Sequence, residues 1–117
     1  MRFNHFLYSP FIMISIGAIP ASLLRWHIND TFIVNIIGCF LLGFINNLSI
    51  PKRYKFIFGF AFCGSLTTFS GWIFQLFNLL SEGLYLKSLL NVILIILISF
   101  LAVLFGNLFA KKLRKLS

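Results

Sequence analysis

Twelve charged residues in a chain of 117 fall in a few short clusters and leave four long stretches between them almost without charge. That spacing constrains the fold more than any other feature, because a helix needs about 20 consecutive apolar residues to cross the hydrocarbon of a bilayer. Residues 6–24, 32–50, 56–81 and 88–110 meet this requirement, the first with Pro10 and Pro20 inside it. The composition agrees: 60% of residues are hydrophobic, 10% are charged and the mean hydropathy is +1.00, against about a quarter charged in a soluble domain. The expected class is an all-α integral membrane protein of four transmembrane helices in one membrane domain, 1–117, with no room for a soluble domain. An alternative reading of the first stretch, a secretory signal peptide after Arg2, lacks a small-x-small cleavage pattern.

The boundaries have the expected chemistry. Arg25, Trp26 and His27 suit the interface at the end of the first span, and Asn29 or Asp30 can cap the second. Pro51 stops the second span before the basic turn of Lys52, Arg53, Tyr54 and Lys55. With short loops alternating sides, eight basic residues share one face (Arg2, Lys52, Arg53, Lys55, Lys111, Lys112, Arg114 and Lys115), while Arg25 and Lys87 share the other. The positive-inside tendency then places both termini in the cytoplasm. The net charge of +8 is accounted for by this orientation and by attraction to anionic lipid head groups, so nucleic acid is not expected as a partner.

Few groups are available for covalent chemistry. Cys39 and Cys63 fall within spans, where small-residue packing explains them better than a disulfide. His5 and His27 lie near the surface, and no Cys/His metal spacing occurs. No nucleophile, base and acid come together, and no phosphate-binding glycine loop is present, so an enzyme is not expected.

The polar content within the spans is patterned. Asn35, Gly38, Cys39, Leu42, Gly43 and Asn46 recur three or four apart, and Ser88, Asn91, Ile95, Ser99 and Ala102 form a second stripe. Either stripe can serve as a packing seam or line a pore. Span three says more: from Cys63 to Trp72, seven of ten residues are Gly, Ser, Thr or Cys, in the middle of a Phe- and Leu-rich segment. Such a cluster predicts a local break, and irregular backbone at that depth persists only where protein buries it or a cavity adjoins it. A broken helix presents free carbonyls at the end of its first half, so residues 64–68 can hold a small hard cation through backbone oxygens. Phe69 and Trp72, at the same break, can touch an anion weakly through positive ring edges.

With Gly17, Ala18, Arg25 and Trp26 in span one, Val34, Asn35, Gly38 and Gly43 in span two, and Gly64-Ser65-Leu66-Thr67-Thr68-Phe69-Ser70 in span three, the sequence resembles the CrcB/Fluc family of microbial fluoride channels over nearly its whole length. The resemblance implies an antiparallel dimer whose broken third helices cross at the centre and hold a structural sodium ion on the carbonyls of Gly64 and Thr67. It implies that Asn35, Phe69 and Ser70 line a fluoride path in the cell (inner) membrane. Ser65 and Trp72 depart from it, standing where the family usually has a glycine and a phenylalanine. The Trp72 indole would narrow the pore, donate to fluoride or mark a path that no longer conducts. Passive efflux is the implied function, since hydrogen fluoride enters as a neutral acid and dissociates inside the cell.

Two other functions are open to a chain of this size. A small multidrug-resistance transporter needs a carboxylate at depth, whereas Asp30 and Glu82 lie at span ends. A non-conducting structural subunit would use both stripes for packing alone. The eight-to-two charge asymmetry bears on the partner, because one sequence inserting both ways needs nearly balanced faces. The expected pair is an antiparallel heterodimer with a homologous subunit of opposite bias.

Overall fold

A computed structural model describes residues 9–116. Arg2, His5 and the start of the first span lie outside the described residues. The architecture is all-helical: α1 (Pro10–Ile28), α2 (Thr31–Asn46), α3 (52–66), α4 (Phe69–Ser81) and α5 (Tyr85–Leu116). Within α3, a first turn at Lys52–Lys55 leads into a π-helical stretch at Phe56–Cys63 and a last α-turn at Gly64–Leu66.

Three runs are long and apolar enough to cross a membrane: Pro10–Ile28, Lys52–Ser81, which holds α3 and α4, and Tyr85–Leu116. The 16-residue α2 spans about 24 Å at 1.5 Å per residue, somewhat less than a hydrocarbon core of about 30 Å. It is shorter than the apolar stretch 32–50 because Asn46 and Asn47 close it. The Asn47 amide donates to the Gly43 carbonyl at 3.0 Å, Lys55 Nζ to the Asn46 carbonyl at 3.1 Å and Arg114 to the Asn47 carbonyl at 3.4 Å. Two cations thus sit at the negative end of the helix dipole. At the other end Asp30 accepts from the Ile33 N–H at 3.1 Å, the capping that the sequence indicates.

Small residues set the helix spacing. A side chain at Gly43 would run into the Val103 carbonyl of α5, and one at Gly106 into the Phe40 carbonyl of α2, so these glycines interlock α2 and α5 at backbone distance. Gly17 does the same for α1, against Ile57 and Ala61 of the π-helical stretch. The α5 helix runs unbroken for 32 residues, about 48 Å, and carries its basic end beyond any hydrocarbon layer.

The described chain is a slab, 60 × 36 × 18 Å. A thickness of 18 Å is less than two helix diameters of about 10–12 Å, so most side chains reach a surface and the buried core is small. Ala21, Val34 and Leu66 are fully buried together, with Ile28, Leu41 and Phe62 packed against them. Leu66 is the last residue before the chain leaves the helix, so the core anchors the approach to the break.

Candidate functional site: a broken helix beside an apolar groove

Helical geometry stops at Thr67 (φ −77°, ψ 153°) and Thr68 (φ −147°, ψ 119°) and resumes at Phe69. The break is therefore narrower than the polar cluster, and Gly64, Ser65 and Leu66 remain helical. Each residue around it has a separate support. Leu66 is buried in the core. The Thr67 side chain lies over Gly38, where a Cβ would collide with its methyl, and its hydroxyl returns to the Cys63 carbonyl at 3.0 Å. The Thr68 hydroxyl accepts the Gly71 N–H at 3.2 Å and caps α4.

Asn35 holds the break across helices. Its Oδ1 accepts the Thr68 N–H at 2.8 Å, and its Nδ2 donates to the Thr68 carbonyl at 3.2 Å. One amide thus takes both backbone groups of a single extended residue, as a neighbouring strand would. In a continuous helix the Thr68 N–H would instead go to the Gly64 carbonyl. Asn35 thereby takes the helical donor away from Gly64, whose Cα faces open space: a Cβ there would meet nothing within 4 Å.

The break opens on a groove of about 800 Å³ lined by α2, α3, α4 and α5, with Ile14 of α1 at its edge. Asn35, Gly64, Thr67, Phe69 and Trp72 all border it, with Ser99 contributed by α5. Phe69 is 72% exposed and meets Trp72 edge to face, with ring centroids 5.5 Å apart and planes at 64°. The indole N–H donates to Asn91 Oδ1 on α5 at 2.7 Å. Trp72 is thus engaged on one side by a ring and on the other by an amide.

Five of the six residues expected at the site from sequence therefore border one groove. Ser70 does not border it; it lines a second, more polar cleft of about 550 Å³ with Arg25, Asp30 and Asn78. Thr68 borders both, and its hydroxyl lies 3.2 Å from the Ser70 hydroxyl. Successive helical residues point about 100° apart, which turns Ser70 away from Phe69. The α2 stripe divides similarly: Gly38, Cys39 and Leu42 border the groove, while Gly43 packs on α5. On α5, Ser99 reaches the groove, and the Ser88 hydroxyl bonds its own backbone at Leu84, 2.9 Å away.

Two contributors are not singled out by sequence. Thr68 is visible there only as one hydroxyl among several, although its backbone is the pinned element. Asn91 stands in the α5 stripe with no partner assigned. No group of three or more His, Cys, Asp or Glu side chains able to hold a metal occurs among the described residues. A cation at the break would therefore meet neutral oxygens, and the Gly64 carbonyl, without its helical donor, suits a hard monovalent ion.

Comparison with known proteins places the chain in a family. Residues 12–107 match the family model described as CrcB-like protein, Camphor Resistance (CrcB). A protein of Prochlorococcus marinus (strain NATL2A) named fluoride-specific ion channel FluC 1 is 52% identical over 103 residues, 88% of this chain and 90% of its own length. One from Methanocaldococcus jannaschii, named fluoride-specific ion channel FluC, is 35% identical over 114 residues, 85% and 92% of the two chains. A third, fluoride-specific ion channel FluC 2 of Prochlorococcus marinus (strain MIT 9313), is 38% identical over 77 residues, 66% and 62% of the two. With its family model matched across all five helices, and with relatives aligned over most of their own length, this chain belongs to the CrcB family.

Proposed function

We propose that the chain is one subunit of a fluoride-specific channel that lets the anion leave the cell passively. The observation that carries this reading is the pinned break at Thr67 and Thr68 beside a groove bordered by Phe69 and Trp72, in a chain whose relatives are named fluoride-specific ion channels. Amide and hydroxyl groups with aromatic edges offer an anion several weak contacts and no fixed strong charge, as conduction requires. Hydrogen fluoride crosses lipid as a neutral acid and dissociates at cytoplasmic pH, and the negative-inside potential then drives the anion out through an open path. In this reading Asn35, Phe69 and Trp72 face the ion, and Ser70 with Arg25 forms its polar approach. The chain crosses the cell membrane four times, with α2 as the short span. Cells lacking their own fluoride exporters should grow in millimolar fluoride when they make this chain with a compatible subunit, and unchanged sensitivity would count against the proposal.

The subunit works as a pair in this reading. A groove holding extended backbone and an exposed Phe69 is poorly suited to lipid, because polar backbone at depth needs protein or water beside it. An antiparallel partner would cover that face and bring a second break near Gly64. Sodium would sit between them on the carbonyls of Gly64 and Thr67, as a structural ion that is not transported.

The pair is a heterodimer. Eight basic residues against two favour one insertion direction, with the basic end of α5 in the cytoplasm among anionic head groups. Relatives with numbered names, FluC 1 and FluC 2, fit the existence of a second subunit. A Lys115→Cys variant made alone in intact cells is expected to resist a membrane-impermeant maleimide and to label only after lysis. Comparable labelling from both sides would show dual insertion and remove the need for a second sequence.

A further inference from the structure

An indole ring at the ion path raises a specific difficulty. Its N–H is a strong donor that a phenyl ring lacks, and a charge-assisted bond from it to an anion is roughly twice as strong as a neutral one. An ion held in that way leaves slowly, whereas conduction needs binding weak enough to release. The Trp72 N–H, however, is directed at Asn91 Oδ1, 2.7 Å away. An indole N–H only donates, so Asn91 must turn its oxygen to the ring, and the orientation of the amide is settled. Asn91 stands on α5, 19 residues on, and is not among the residues that border the groove. The rest of the indole does border it and packs against Phe69 at 5.5 Å.

We infer that Asn91 is a positioning residue of the ion path: by accepting the indole N–H it withdraws the one strong donor of Trp72 from the groove and leaves that ring to act by its edge, as Phe69 does. The inference rests on the fluoride-channel reading of the groove. It sets aside donation to fluoride and a non-conducting path, two of the three roles open to Trp72 from sequence, and puts a masked donor in a conducting path in their place. It also pairs two departures from bare packing, a tryptophan on α4 and an asparagine on α5, as one device.

The test is a double-mutant cycle in proteoliposomes that hold a fluoride gradient and whichever preparation of the wild type conducts, the chain alone or with a second family member, read with a fluoride-selective electrode. Asn91→Leu frees the N–H and is expected to slow fluoride loss about ten-fold through tighter holding of the ion. In a Trp72→Phe background no N–H remains, so adding Asn91→Leu should leave the rate within about three-fold of Trp72→Phe alone. The second arm does not depend on transport: the resonance Raman difference between wild type and Trp72→Phe isolates this indole, and Asn91→Leu should shift its N–H-sensitive band toward the weakly bonded position. Asn91→Gln, which keeps a carbonyl, should recover part of both signals. An unchanged rate in Asn91→Leu, an equal loss in the Trp72→Phe background, an unmoved Raman band or a silent Trp72→Phe channel would each overturn the inference. A wild-type protein that passes no fluoride either alone or with a second family member would sink the channel reading, and this inference with it, even if the Raman arm still reported the bond.

Discussion

Asn35→Leu is expected to silence fluoride transport and to loosen the protein at the same time. Leucine keeps the branching of asparagine, though it is larger, but offers neither an acceptor for the Thr68 N–H nor a donor for the Thr68 carbonyl, the two bonds at 2.8 and 3.2 Å that fix the break. Leaving a buried backbone group unpaired costs about 1–3 kcal/mol, so two cost about 2–6 kcal/mol. The chain can avoid that cost only by rewinding residues 67 and 68 into helix, which returns a donor to Gly64 and erases the site. Fluoride loss from vesicles should fall at least about thirty-fold, as about 2 kcal/mol or more implies at about 1.4 kcal/mol per decade, and the unfolding midpoint in SDS should fall with it. Asn35→Asp keeps an acceptor for the N–H but not the donor, and should lie between. Wild-type rate and stability in Asn35→Leu would show that the amide only packs helices.

The second large effect concerns the cation. If the carbonyls of Gly64 and Thr67 hold sodium between two subunits, replacing sodium by a bulky organic cation should lower thermal stability and fluoride flux together. The stabilisation follows the occupancy of the site, amounting to about 2.7 kcal/mol when the ion is at about a hundred times its dissociation constant. Thr67→Val should retain the sodium response, because the proposed ligands are backbone oxygens and the Thr67 hydroxyl is already directed at the Cys63 carbonyl. The same melting midpoint in both cations would exclude the site.

The sequence carries the helices, the boundary signals and the neighbourhood of the break, because each rests on local properties. Charge-free runs, Asp30 ahead of α2 and the Gly/Ser/Thr cluster after Cys63 have consequences within one or two helical turns. The position of the break is not local. Seven small or polar residues in ten leave several candidate points, and the choice of Thr67 and Thr68 depends on an amide 33 residues away and on the burial of Leu66. The length of α2 is likewise not set by hydropathy. Its helix stops at Asn46, where Asn47, Lys55 and Arg114 supply alternative partners, and the apolar residues beyond it belong to the turn.

Ser70 illustrates a different limit. Motif order places it next to Phe69, but a helix sends adjacent side chains in different directions, and the two border different clefts. The helical period of about 3.6 residues holds enough information to separate them once α4 is known to begin at Phe69. The Trp72–Asn91 bond needs the pairing of α4 with α5, which neither stripe specifies alone.

Ion release from vesicles tests most directly whether this chain contributes to a path for fluoride. Purified protein is reconstituted alone and together with a second family member from the same cell, in vesicles loaded with fluoride or chloride, and release is followed with ion-selective electrodes under a potassium-set voltage. The account predicts rapid voltage-driven loss of fluoride from at least one of these preparations, with chloride retained. Fluoride retained in both, or chloride leaving as fast as fluoride, would contradict it.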